Sequence, residues 1–160
     1  MPIKVGDHLP NAKFRVGTPE GPAWKTTDEI FKGKKVALFA VPGAFTGTCH
    51  KMHVPSILQS ADAIKAKGVD TIAVTSVNDV FVMDAWKKAT AADKIEFLAD
   101  GNGDFAKAVD LSFDGSGNGL GTRSKRYSML VEDGVVKQLN IEESPGKVEV
   151  SGGDTLLKQL

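Results

Sequence analysis

The chain contains one cysteine, Cys49, in the segment Pro42-Gly43-Ala44-Phe45-Thr46-Gly47-Thr48-Cys49-His50. A thiol is a nucleophile only as its thiolate. Unpaired N–H groups and the positive end of a helix dipole favour that anion, so a cysteine at the start of a helix is set up for attack. Thr46, three residues earlier, could donate its hydroxyl to sulfur or to a bound oxygen, and loop N–H groups could help hold a polar oxygen substrate. The competing reading is an inert buried thiol, the usual fate of a free cysteine. The strand–turn–helix setting around Cys49 argues against it.

Other residues invite different chemistry. Cys49 and His53 are spaced i, i+4, and His50 is adjacent, so two metal ligands could share a helix face. Zinc normally takes three or four ligands, and no partner cluster occurs elsewhere. His50 and His53 read better as supports of the site or as interface residues. Asp100-Gly101-Asn102-Gly103-Asp104 resembles the start of a calcium loop, but Phe105 stands at the required glycine and Leu111 at the closing glutamate. The run Gly115–Gly121 does not follow a strand of a βαβ unit and lacks a phosphate-binding lysine, so a flexible surface loop is expected there.

The elements that must position Cys49 follow from periodicity. Lys35–Val41 is a short continuous apolar run and reads as a buried strand, as do Val69–Thr75 and Ile95–Ala99. A strand ending at Val41 places Cys49 at the carboxyl end of the sheet, where open α/β folds carry their sites. A helix is expected from about Thr48 to Lys67, with Ile57, Leu58, Ala61, Ile64 and Lys65 on its inner face and a kink at Pro55. Asn78 should cap a helix carrying Val82, Met83 and Trp86, and Asn102 a short one carrying Phe105, Ala106 and Val109. Tyr127–Glu132, Asp133-Gly134 and Val135–Ile141 read as a hairpin. A last helix, capped by Asp154, follows with Leu156, Leu157 and Leu160. The order βαβαβα–ββ–α is that of an α/β sandwich with a mixed central sheet flanked by helices; the thioredoxin fold is one solution.

Composition bounds the function. The chain's 160 residues suit one domain, 1–160, with one core. Lys+Arg and Asp+Glu are each 20, giving no electrostatic footprint for nucleic acid and no polybasic membrane patch. No signal peptide is visible behind Met1-Pro2-Ile3-Lys4, and the run Val36–Val41 falls far short of the ~20 residues that span a bilayer. A lone cysteine rules out an internal disulfide and suggests a reducing compartment, the cytoplasm or an organelle interior.

Pro42-Gly43-Ala44-Phe45-Thr46-Gly47-Thr48-Cys49 resembles the active-site segment of the peroxiredoxins, with the Pro-x-x-x-Thr-x-x-Cys pattern at Pro42, Thr46 and Cys49. The wording Pro-Gly-Ala-Phe-Thr resembles the subgroup of plant type-II and mammalian type-five enzymes. His53-Val54-Pro55, Ser76–Met83 and Arg123–Met129 extend the likeness over essentially the full chain. The resemblance implies a thioredoxin-like fold and reduction of hydrogen peroxide or organic hydroperoxides without metal, haem, flavin or other cofactor. By position it makes Cys49 the peroxidatic nucleophile, Thr46 the hydroxyl that contacts peroxide and thiolate, and Pro42 the shield of the pocket. It makes Arg126 the cation beside the thiolate, with Arg123 as competitor.

The chain departs from the family at Gly47, where proline is common and glycine would loosen the loop, and at His50, where a small residue is common. Lys147–Gly153 carries no cysteine, although type-five enzymes place a resolving cysteine near there. The expected reaction makes a sulfenic acid at Cys49, resolved by an external thiol: glutathione, glutaredoxin or thioredoxin. A dithiol oxidoreductase would need Cys-x-x-Cys, and this chain has Thr46-x-x-Cys49. A non-enzymatic peroxide sensor would use the same thiolate. The resemblance also suggests a homodimer near the active-site edge through Phe45, Phe81 and Phe113, unless those three are core residues.

Overall fold

A computed structural model describes residues 1–160. The three apolar runs form the centre of a seven-stranded mixed sheet: β3 (Lys35–Ala40), β4 (Thr71–Ser76) and β5 (Glu96–Ala99) are parallel neighbours. β8 (Tyr127–Glu132) and β9 (Val135–Ile141) extend the sheet antiparallel beyond β3. The expected turn joins them: Asp133 and Gly134 have φ of 49° and 78°, the positive values a two-residue hairpin needs.

The central strands are buried on both faces, so their side chains alternate between two cores. Ala37, Phe39 and Val41 face one core with Ile57 and Ile64 of α2 (Val54–Ala66), Met83 and Trp86 of α3 (Val80–Ala89), and Leu156 of α5 (Gly153–Lys158). Val36, Leu38 and Ala40 face the other with Phe31 of α1 (Thr27–Phe31) and Phe105 of α4 (Asp104–Ala108). The thioredoxin-like α/β sandwich is present.

An antiparallel pair at the far edge, β1 (Lys13–Thr18) and β2 (Gly21–Thr26), was not expected. It gave little signal because only Phe14 in it is fully buried. Helix α1 after it is five residues long, too short for a period, but has a Thr26/Glu29 capping box. A two-stranded sheet of β6 (Ser112–Asp114) and β7 (Thr122–Ser124) was also missed.

Several local expectations need correction. The helix read from Thr48 to Lys67 is present from Gly47 to Ala66, but its hydrogen-bond pattern changes along it. A turn starting at Gly47 passes into a π-helical turn, Cys49–His53, and α2 begins at Val54. Pro55 lies in the first turn of α2, directly behind the π turn in which Val54 N–H donates to Cys49 O, so the helical ladder is irregular just where the Pro55 N–H is missing. Lys65 is exposed; the inner face is Ile57, Ala61 and Ile64. Asp79, not Asn78, caps α3, accepting from Val82 N–H at 2.9 Å. Helix α4 is capped by Gly103 in place of Asn102, and the Asp100 carboxylate takes up the Phe105 and Ala106 N–H groups. α5 starts behind Gly152, with Asp154 inside its first turn. The asparagine and aspartate signals were genuine, but which neighbour caps depends on the approach of the preceding strand. No helix is long and apolar enough to cross a membrane.

Candidate active site

β3 delivers the chain to the carboxyl edge of the sheet, and the loop Pro42–Thr46 turns it into the helix bearing Cys49. Asn78 braces that loop: its side-chain oxygen accepts from Ala44 N–H at 2.9 Å and from the Ser76 hydroxyl at 2.5 Å. Phe45 at the turn has φ 60°, an unfavourable value for a side chain with a Cβ. Its ring stacks on His50, with centroids 5.7 Å apart. His50 in turn accepts from Trp86 Nε1–H through Nδ1 at 3.0 Å.

Cys49 is buried, 1% exposed, and its sulfur faces Arg126, itself 2% exposed. Arg126 reaches the site from the residue before β8. It donates from Nη2 to Cys49 Sγ at 2.8 Å, from Nη1 to His53 Nδ1 at 2.8 Å, and from Nε to Pro145 O at 3.0 Å. A guanidinium only donates and stays charged. None of the ion pairs in the protein involves Arg126. Its other two contacts are neutral acceptors, so the sulfur is the contacting group able to supply an opposing charge. Burying an uncompensated cation is costly, and a thiolate at Cys49 removes that cost.

His53, assigned at sequence level to support or interface, is the second anchor of this guanidinium. Its Nε2 lies 2.8 Å from Ser151 O. A carbonyl only accepts and Arg126 only donates, so the proton sits on Nε2 and Nδ1 is the acceptor. Burial first, then the Arg126 charge, pushes the His53 pKa down to about 4. The imidazole is therefore neutral at physiological pH. Ser151 is fixed by Glu142, whose Oε2 accepts from the amides of Glu149, Val150 and Ser151 and from the Ser151 hydroxyl at 2.6–2.9 Å. Burial raises the Glu142 pKa, but these hydrogen bonds outweigh it and hold the carboxyl below its ordinary value. No group of three His, Cys, Asp or Glu side chains is placed to hold a metal. The Cys49 sulfur and His53 Nδ1, the donor pair considered for zinc, instead share one guanidinium.

Arg126 and Thr46 line a pocket of about 280 Å³ together with Pro42, Gly47, Phe113, Leu120 and Pro145. The Thr46 hydroxyl donates to Gly43 O at 2.6 Å and not to sulfur. With its proton committed to the loop, it presents lone pairs to the pocket and can accept from a substrate O–H. Arg123 does not contact the sulfur; it binds Pro42 O and Leu120 O. The run Gly115–Gly121, expected to be a flexible surface loop, holds a short 3₁₀ turn at Ser116–Asn118 and forms one wall of the pocket. Phe45 and Phe81 are 48% and 72% exposed, which removes the alternative that they are core residues; Phe113 is half-buried.

The sequence lacked a usable signal for the backbone acceptors Pro145 O and Ser151 O, since neither depends on a side chain. His53 was visible at four residues from Cys49, but nothing local told which group it would meet.

Known proteins resemble the chain over essentially its whole length. Residues 4–157 match the Redoxin family. The chain is 45% identical over 161 residues to peroxiredoxin-2C of Oryza sativa subsp. japonica, covering 99% of each protein. It is 47% identical over 133 residues to the mitochondrial peroxiredoxin-2F of Arabidopsis thaliana, covering 82% of this chain and 66% of that one. Among solved structures, reduced Prx3 of Vibrio vulnificus in complex with hydrogen peroxide superposes with a TM-score of 0.94 at 50% identity, covering 98% of both chains. On its fold, its full-length match to these relatives and its Pro42–Cys49 segment, the chain belongs to the peroxiredoxins of the redoxin family, in the type-II/type-five subgroup.

Proposed function

We propose that Cys49 reduces hydrogen peroxide and organic hydroperoxides through a sulfenic acid that an external thiol resolves. Thiol-dependent peroxidase activity goes with the family; the residue roles, intermediate, substrates and reductant are inferred as follows. The Cys49 thiolate attacks the terminal oxygen of the hydroperoxide in line with the O–O bond. A sulfur–oxygen bond forms, the O–O bond breaks, and its electron pair leaves on the alkoxide or hydroxide, which takes a proton from water. Thr46 would accept from the peroxide O–H and orient it. Arg126 would stabilise the thiolate and the charge passing to the departing oxygen. Pro42 would limit water at the sulfur. A first thiol then converts the sulfenic acid to a mixed disulfide with loss of water, and a second releases the Cys49 thiol and a disulfide.

The observation that carries this reading is the 2.8 Å contact between Arg126 Nη2 and Cys49 Sγ, both side chains being buried. The external reductant follows from the absence of a second cysteine. Glutathione, alone or with glutaredoxin, and thioredoxin are the candidates, and the cytoplasm is a compartment that holds all three. The whole chain, 1–160, would act as one domain. Exposed Phe45 and Phe81, with Phe113, would form the homodimer contact. The test is steady-state peroxide consumption with each reductant, on the native protein and Cys49→Ser. Turnover with at least one reductant and none in Cys49→Ser supports the reading; equal turnover in both defeats it.

A further inference from the structure

The run Gly115–Gly121 takes no part in holding Cys49, yet its Asn118 and Leu120 wall the pocket that Arg126 and Thr46 also line. Its backbone closes on itself, with Gly115 N–H donating to Gly121 O at 2.6 Å, and β6 and β7 pair on either side. One side chain ties this wall to the opposite one. Arg123 donates from Nε to Leu120 O at 3.0 Å and from Nη1 to Pro42 O at 3.2 Å. Leu120 and Pro42 both line the pocket. A guanidinium is a rigid planar fork, so the separation of those two carbonyls is set by its fixed donor geometry.

Gly43 makes room for the fork. A Cβ there would lie 2.7 Å from Arg123 Nη1 and 3.0 Å from Thr46 Cγ2. The arginine therefore rests against bare backbone in the same loop whose Gly43 O accepts the Thr46 hydroxyl. The sulfur already has Arg126 as its cation, so Arg123 is free of that duty.

We propose that Arg123 is a positioning residue that sets peroxide selectivity. By holding Pro42 and Leu120 across the pocket it keeps the gap narrow, which favours small hydroperoxides over bulky ones. The inference rests on reading this pocket as the peroxide site. In-line attack needs the reacting atoms within about 3–3.5 Å, and a small substrate depends on narrow walls to stay there. A bulky one is hindered by the same walls.

The experiment is rapid-mixing oxidation of Cys49 by hydrogen peroxide and by cumene hydroperoxide, in the native protein, Arg123→Ala, Arg123→Lys, Gly43→Ala and the Arg123→Ala/Gly43→Ala double variant. Arg123→Ala should lower the ratio of the hydrogen peroxide rate constant to the cumene hydroperoxide rate constant about tenfold, since small displacements of a positioned group cost that much or more. Arg123→Lys, keeping the charge and losing the fork, should fall between. The thiolate absorbance of Cys49 at neutral pH should match the native protein in all variants. Gly43→Ala should shift the ratio the same way, and most of its effect should be lost in the Arg123→Ala background, because the added methyl group acts chiefly by displacing the guanidinium and only secondarily through its 3.0 Å approach to Thr46 Cγ2. An unchanged ratio in Arg123→Ala, or a lost thiolate signal, overturns the proposal. A Gly43→Ala effect that is undiminished without Arg123 overturns the role given to Gly43. A native protein oxidised by neither peroxide would refute the peroxide-site reading itself.

Discussion

Arg126 Nη2 lies 2.8 Å from Cys49 Sγ, and the same guanidinium is held from behind by His53 Nδ1 at 2.8 Å. The sulfur's charge partner is thus fixed by a neutral imidazole rather than by a carboxylate. A carboxylate in that place would compete with the sulfur for the positive charge; an imidazole positions the guanidinium and leaves its charge for the sulfur.

Arg126→Ala should slow oxidation of Cys49 by roughly 100-fold or more, the usual cost of removing a donor aimed at developing charge. It should also reduce the thiolate absorbance at neutral pH. Arg123→Ala should leave that absorbance unchanged and slow hydrogen peroxide far less. Rapid-mixing kinetics and ultraviolet spectra of both variants check this order, and the reverse order would assign the sulfur's partner to the wrong arginine.

His53→Leu leaves Arg126 Nη1 buried without an acceptor, which costs about 1–3 kcal/mol. The melting temperature and the peroxide rate should both fall. His53→Gln, able to accept from Arg126 and donate to Ser151 O, should recover most of the rate. If leucine and glutamine behave alike, the Arg126–His53 hydrogen bond has no functional weight.

Acid should destabilise the fold through the same histidine. Its pKa is about 4 in the folded protein and 6.5 when unfolded, so the unfolded chain binds the extra proton. Stability is then complete above about pH 6.5 and declines as pH falls toward 4, by up to about 3 kcal/mol. Glu142, whose folded pKa is depressed, adds a further loss below the ordinary carboxylate range as its hydrogen-bonded anion is protonated. Urea unfolding between pH 7 and pH 4 measures the slope, which His53→Gln should flatten.

Exposed to peroxide without a thiol, the protein should turn over about once and stall as Cys49 sulfenic acid, and excess peroxide should carry it to sulfinic acid. Intact mass should show one added oxygen, then two; added glutathione should give a mixed disulfide and restore turnover. Sustained catalysis with no thiol present contradicts a mechanism that has only Cys49 to work with.

Sedimentation at micromolar concentration should give a dimer of the 17.0 kDa chain, and charged substitutions at Phe45 and Phe81 should yield monomer. A native protein that sediments only as monomer removes the proposed contact.

The central strands, the Asp133-Gly134 hairpin and the strand–turn–helix that presents Cys49 were legible because each is written in local terms: a continuous apolar run, a positive-φ turn pair, a cysteine just after Pro42–Thr46. The expectation of an outside thiol rests on an equally plain feature, the count of one cysteine. The edge pair β1–β2 was not legible, since a strand with only Phe14 fully buried carries almost no hydrophobic period. Cap positions at Asp79 and Gly103 shifted by one residue because they depend on how the preceding strand meets the helix. The choice of Arg126 over Arg123 came from family position and not from the local pattern, which is the same for both. Tertiary structure separates them: β8 pairs with β3 and brings Arg126 to Cys49, while β7 pairs with β6 and leaves Arg123 bound to Pro42 O and Leu120 O. The assembly of Arg126, His53, Pro145 and Ser151 joins residues about 20 to 100 positions apart, with Pro145 and Ser151 taking part through backbone oxygens that every residue type possesses. Such contacts leave no mark on residue identity, so only the folded chain decides them.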